Sequence, residues 1–366
     1  MHGRSSRSAR VRLVGRVTAM GTATLTALAL SGCALSLGSE PAAKQKAAST
    51  TAAQENATPA VAPKANATHA GATPAAAGAV RLASPLQALP ASRNETPQGL
   101  TGTPGGGGYT KITIPGPVSG HSGSAYVWFP PSYNKPGHER TQYPVIEVFH
   151  GYKPAPLAFF SYYHLDEEMA KLVEKGKMRE AVIVLPDWAP AGLDTECVDG
   201  GGGNVAMETW LTQDVPAYIA GTYRVARDRG SWAGYGASTG GWCALMASTL
   251  HPATFGSAVS VGGQGYPEFD PPYIPFTPES PSGQRYNLTK VLREQAPPVA
   301  LWLLTAKTDK ESYPTSSTMI AAAKAPTSLD AVVLDSGRHH PMFWLPYIPA
   351  TLKWLGASTS GFAPQK

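Results

Sequence analysis

The sequence predicts an α/β domain, a mostly parallel eight-stranded sheet with helices on both faces, running from about Tyr109 to the C-terminus. Three observations predict it. From Tyr109 onward, short apolar runs alternate with longer helix-like stretches. Several of those runs, such as A-V-I-V-L-P at 181–186, are apolar at every position, as strands covered on both faces must be. One run, S-W-A-G-Y-G at 231–236, leads through a Gly-rich turn directly into a helical pattern.

The elements follow in order. Strands are expected at 109–114 and 125–129; with no helix between them, they form an antiparallel pair at the start of the sheet. Further strands are expected at 144–149, 181–186, 231–236, 257–261, 299–304 and 331–334. Helices are expected at 165–175, 205–223, 239–250, 287–295, 315–325 and 342–355. In such sheets ligands bind beyond the carboxyl ends of the strands, so residues there are the candidates for chemistry.

What precedes Tyr109 reads differently. Residues 34–108 are dominated by Ala, Thr, Pro, Gly and Ser, a composition that buries too little surface to offset its chain entropy. A disordered tether is expected over 33–108. The first 32 residues carry Arg4, Arg7, Arg10, Arg12 and Arg16 and no acidic side chain, then an apolar run from Val17 to about Leu30. That is the layout of an export signal, too short to span a bilayer. Those five arginines account for the whole formal charge of +5. The rest of the chain is formally neutral, which argues against nucleic acid as a partner. Leu30-Ser31-Gly32-Cys33 resembles the lipobox of bacterial lipoproteins, in which the cysteine is acylated and anchors the mature protein. The expected location is therefore the outer face of a bacterial membrane, or the medium, with a monomeric protein tethered through Cys33. Lipidation of Cys33 leaves an even pair, Cys197 and Cys243, which can oxidise outside the cell.

Gly236-Ala237-Ser238-Thr239-Gly240 fits G-x-S-x-G between a strand and a helix, the setting of a nucleophile elbow. A serine hydroxyl near neutral pH is a poor nucleophile, so Ser238 needs a base, and an acid must orient that base. The stretch W-A-G-Y-G-A-S-T-G-G-W-C resembles the elbow of the esterase branch of α/β-hydrolases, which includes antigen-85-type acyltransferases. The resemblance covers most of 125–355 and includes V-F-H-G-Y at 148–152, V-L-P-D-W at 184–188 and D-T-E-C-V-D-G at 194–200.

The resemblance implies an α/β-hydrolase fold and a Ser, acid, His order along the chain. The base falls in G-R-H-H at 337–340, on His339, with His340 as the alternative. The acid falls in A-K-T-D-K-E after the seventh strand, on Asp309, with Glu311 as the alternative. The oxyanion donors would be the backbone amides of Tyr152 and Thr239, while the His150 side chain packs beneath its loop. His251 reads as a helix-end residue and Asp335 as a turn cap. Tyr152, Tyr162, Tyr163, Trp188 and Trp242 are candidates to line a substrate pocket.

No C-x-x-C, H-E-x-x-H or EF-hand spacing appears, so no metal or cofactor is expected, and Asp194, Glu196 and Asp199 read as a solvated loop. A disulfide between Cys197 and Cys243 would lie on the active-site side of the sheet. The expected function is hydrolysis of a small-molecule, lipid or polysaccharide ester through an acyl-enzyme. Acyl transfer to a sugar or lipid hydroxyl is the alternative, and a non-catalytic wall- or glycan-binding module on the same scaffold is the rival from another class.

Overall fold

Beyond the signal and tether expected at its start, the chain is described by a computed structural model over residues 82–364 and the strand Ala65–Gly71. Residues 1–32 and Cys33 lie outside the described residues. Among the described residues ten strands form one sheet: β1 (Ala65–Gly71), β2 (Thr101–Gly102), β3 (Gly108–Ile114), β4 (Gly123–Phe129), β5 (Val145–Phe149), β6 (Val182–Pro186), β7 (Trp232–Ala237), β8 (Ser257–Val261), β9 (Ala300–Ala306) and β10 (Ser328–Leu334). Their order is β1-β10-β9-β8-β7-β5-β6-β4-β3-β2. The six strands from β6 to β10 through β5 and β7 are parallel, while β2, β3 and β4 form an antiparallel flank and β1 closes the other edge antiparallel to β10.

The eight expected strands are β3 to β10, and β3 and β4 pair antiparallel as expected. The two additional strands, β1 and β2, lie within the stretch expected to be a disordered tether. The ordered chain therefore starts well before Tyr109. Its few anchors explain why: Leu86 is buried, Arg93 donates to the Thr222 hydroxyl at 2.7 Å, and Thr103 accepts the Trp128 indole N–H at 2.9 Å. A polar segment with little apolar surface of its own is held in place by hydrogen bonds to the domain it lies against.

The inner parallel strands bury both faces, which is why β6 reads as an unbroken apolar run and β5, β7, β8 and β9 as mainly apolar ones. On β5, Val145 and Phe149 enter one core while Ile146 and Val148 enter the other. Helices α1 (Leu165–Glu174) and α6 (Ile348–Ser358) cover the second face through Met169, Leu172, Leu352 and Leu355. Helices α2 (Val215–Thr222), α3 (Thr239–Leu250), α4 (Leu288–Glu294) and α5 (Tyr313–Ala322) cover the first through Ile219, Leu245, Leu292 and Met319. The helix expected at 205–223 is α2 preceded by a short α turn and a π turn, Trp210–Asp214. The one expected at 342–355 is a short turn, Pro341–Trp344, followed by α6.

Five fully buried tryptophans, Trp128, Trp188, Trp210, Trp232 and Trp242, fill the layers, and each indole N–H has an oxygen acceptor. That pairing is what lets so polar a ring edge sit in a core. Among the described residues no helix is long and apolar enough to cross a membrane.

Candidate active site

Ser238 sits where β7 ends and α3 begins, with φ 56° and ψ −130°. A non-glycine residue in that region costs about 1–3 kcal/mol and persists only where its surroundings impose it. Here the imposition is steric. A Cβ on Gly236 would fall 2.0 Å from the Gly240 carbonyl oxygen, and one on Gly240 would fall 1.9 Å from the Phe149 carbonyl oxygen. The two glycines let α3 start hard against the ends of β5 and β7, and the serine is thrust up from the sheet.

The parallel topology brings its partners to the same edge. Asp309 follows β9, and His339 follows β10, the strand beside it. Ser238 Oγ lies 2.8 Å from His339 Nε2, and His339 Nδ1 lies 3.1 Å from Asp309 Oδ2. Of the two adjacent histidines, His339 therefore reaches the serine. His340 instead accepts the Met342 amide at the head of the Pro341–Trp344 turn. Of the two acids, Asp309 is buried and faces Nδ1, whereas Glu311 is exposed and approaches the other ring nitrogen, Nε2, at 3.5 Å. Asp309 is itself held by the Glu311 amide at 3.0 Å, the Ser312 amide at 3.3 Å and the Ser312 hydroxyl at 2.7 Å.

Ser312 was not singled out from sequence. Its signal was present in D-K-E-S, an acceptor three residues ahead of a hydroxyl at a helix start. Thr308 was missed as well: its hydroxyl both donates to the Gly337 carbonyl at 2.7 Å and accepts the Gly337 amide at 2.8 Å, tying the acid loop to the histidine loop. Asp335, read as a turn cap, instead forms an exposed ion pair with Lys307 at 2.8 Å.

Tyr152 and Thr239 flank the serine. A Cβ on Gly151 would lie 3.6 Å from Ser238 Cβ, so the 150–152 loop runs beside Ser238. Thr239 is the first residue of α3, where an amide has no acceptor within its own helix. The His150 ring is buried, stacked 4.7 Å from Trp188 at 15°, and its carbonyl accepts the Trp188 indole at 2.9 Å. The loop is thus fixed from beneath, as expected for His150.

A cavity of about 300 Å³ opens over Ser238, lined by Tyr152, Phe159, Tyr162, Tyr163, His339 and Trp344 among others. Three of the five aromatic candidates are there. Trp188 and Trp242 are not: both are fully buried in the core beneath the site. Phe159 and Trp344 take their place, the latter edge-on to His339 at 5.0 Å.

Cys197 and Cys243 are disulfide-bonded with Cα atoms 5.8 Å apart, joining α3 to the loop after β6. Trp242 reinforces that junction by donating to the Glu196 carbonyl at 2.9 Å. The loop is not solvated as expected. Glu196 is buried, and burial together with the Asp194 charge pushes its carboxyl well above the usual range. Asp199 accepts the Thr209 amide and hydroxyl at 2.9 and 2.6 Å. Among the described residues no group of His, Cys, Asp and Glu is arranged to hold a metal ion.

Set beside known proteins, the chain matches part of one sequence relative and, over about 70% of its own length, nearly the whole of several solved structures. An uncharacterized protein of Corynebacterium glutamicum is 30% identical over 145 residues, 39% of this chain and 33% of that protein. The match thus spans about a third of the relative's length. A ferulic acid esterase superposes with a TM-score of 0.58 at 20% identity, covering 69% of this chain and 98% of its own. An S-formylglutathione hydrolase from Agrobacterium tumefaciens does so with a TM-score of 0.57 at 17% identity, covering 70% and 98%. At these identities the likeness establishes the α/β-hydrolase fold. The family model described as "Putative esterase" matches residues 119–347, and on that match the chain belongs to this esterase family.

Proposed function

We propose that this esterase is an exported serine hydrolase of carboxylic esters, with Ser238 as nucleophile, His339 as general base and Asp309 as the acid that orients it. The observation that carries the reading is the continuous line from Ser238 Oγ through His339 to Asp309 Oδ2, at 2.8 and 3.1 Å, on a strained strand-to-helix turn.

In this reading the Ser238 hydroxyl proton passes to His339 Nε2 as Oγ bonds to the ester carbonyl carbon. The carbonyl electron pair moves onto oxygen, which the Tyr152 and Thr239 amides receive; one such donor is worth about 10²–10³ in turnover. The tetrahedral species collapses, the carbon–alkoxy bond breaks, and the leaving oxygen takes the proton from Nε2. Water repeats the sequence on the acyl-enzyme, its proton going to Nε2 and then to Ser238 Oγ as the acid is released. Asp309 meets the imidazolium that forms at each stage. Its other acceptor sites are occupied by Ser312 and the Glu311 amide, so it has one orientation in which to do so.

Export and anchoring rest on the sequence: the arginine-rich start, the apolar run and Cys33 in a lipobox-like context. The disulfide supports an oxidising compartment.

The test is covalent labelling with a fluorophosphonate probe beside hydrolysis of chromogenic esters of graded acyl length. Wild type should label once and hydrolyse at least one ester. Ser238→Ala should lose the label and several orders of magnitude in rate. Undiminished turnover in that variant would refute the assignment.

A further inference from the structure

Glu311 occupies a position that the reaction just described leaves without a role. Its carboxylate lies 3.5 Å from His339 Nε2, the nitrogen that gives the proton to the departing alcohol, not Nδ1, the one that Asp309 holds. It is 61% exposed, and among the described residues it forms no ion pair with a lysine or arginine. Lys307, on the same loop, is committed to Asp335. Its backbone amide is anchored on Asp309, so the residue is fixed at its root while its carboxylate stays open to solvent. A second carboxylate, Glu268, is close enough to feel both Glu311 and His339; burial first, and then Glu311, raise its carboxyl from the usual range.

Proton transfer requires the leaving oxygen to sit within about 3 Å of Nε2. A group that the alcohol carries at its second carbon from the leaving oxygen is then within reach of Glu311. A carboxylate accepts and does not donate. It attracts a hydroxyl or ammonium there and repels an anion.

We propose that Glu311 is the residue that selects the alcohol half of the ester, favouring alcohols with a hydrogen-bond donor on the second carbon from the ester oxygen and rejecting anionic ones. This rests on the serine-hydrolase reading, since it takes the leaving oxygen to Nε2. A hydrogen bond to a charged acceptor gives about a tenfold preference in an open site.

Three benzoate esters that share an acyl group isolate the effect: 2-hydroxyethyl, propyl and carboxymethyl benzoate. Ratios of kcat/KM are measured in wild type, Glu311→Gln and Glu311→Ala, so that intrinsic differences between the alcohols cancel. The 2-hydroxyethyl to propyl ratio should fall about tenfold in Glu311→Ala and by less in Glu311→Gln, which keeps an acceptor oxygen. The carboxymethyl to propyl ratio should rise about tenfold in both, because both lose the charge. Ratios that stay within twofold of wild type in Glu311→Ala overturn the proposal. The reading beneath it fails separately, if Ser238→Ala still hydrolyses the three esters.

Discussion

Replacing Glu208 by glutamine probes a buried charge whose worth follows from the structure. Glu208 lies at the start of the helical segment leading to α2 and is almost wholly buried. Arg285 grips it with two nitrogens at 2.5 Å, His251 Nε2 lies 2.6 Å away, and the Tyr286 hydroxyl donates to it as well. Burial alone would raise this carboxyl, but the bonds to His251 and Arg285 overcome that and hold it at about 2. Against a value of 4.5 for the free side chain, this favours the folded state by about 3 kcal/mol, at ~1.4 kcal/mol for each tenfold change in proton affinity. Because the folded value is the lower one, the unfolded chain binds the extra proton between the two. The contribution is complete above about pH 4.5 and is lost as pH falls toward 2. Urea unfolding of wild type and Glu208→Gln at pH 6 and pH 3 measures it. The two proteins should differ by about 3 kcal/mol or more at pH 6, since the variant also leaves Arg285 without its partner, and by less at pH 3. An identical gap at both pH values would refute the argument. The residues joined to Glu208 make the result relevant to the site: His251 caps the far end of α3, and Arg285 and Tyr286 belong to the insertion between β8 and β9.

Asp309→Asn should preserve the local geometry but present the wrong hydrogen-bonding partner to His339 Nδ1, lowering kcat by about 10⁴ in steady-state ester hydrolysis. Gly240→Ala should cost at least ~1–3 kcal/mol in a thermal melt, because the added methyl meets the Phe149 carbonyl rather than a movable side chain. The mature protein should partition into detergent and carry acyl chains on Cys33, and intact-mass measurement should find Cys33→Ser unacylated.

The strands that carry the site were legible because a strand buried on both faces is mainly apolar, as V-I-V-L-P in β6 is throughout. The edge strands were not legible, since β1 and β2 are made of small or polar residues whose pairing is decided by the neighbour they meet. Glu147 shows a different limit. Its run P-V-I-E-V-F reads correctly as a strand, yet nothing in it reveals that both carboxyl oxygens are buried with no hydrogen-bond partner among the described residues, or that burial lifts the group well above the usual range. Trp188 and Trp242 mark the same limit from the apolar side, because a sequence position near a strand end does not say which way the ring faces. The candidate serine could be singled out because its signal is local: five residues specify both the turn and the hydroxyl. Its partners could only be narrowed to His339 or His340 and to Asp309 or Glu311. Ser238 and His339 are separated by 101 residues in the chain, and one residue of register in the loop after β10 would exchange one histidine for its neighbour. What fixes that register is distant from both: β9 and β10 paired in parallel, Thr308 bonded to Gly337, and a Pro341 turn that claims His340 as its cap. The choice between the two acids has the same origin. Asp309 is drawn under the histidine by Ser312, and the same turn that buries it leaves Glu311 outside, beside Nε2, the ring nitrogen that faces Ser238.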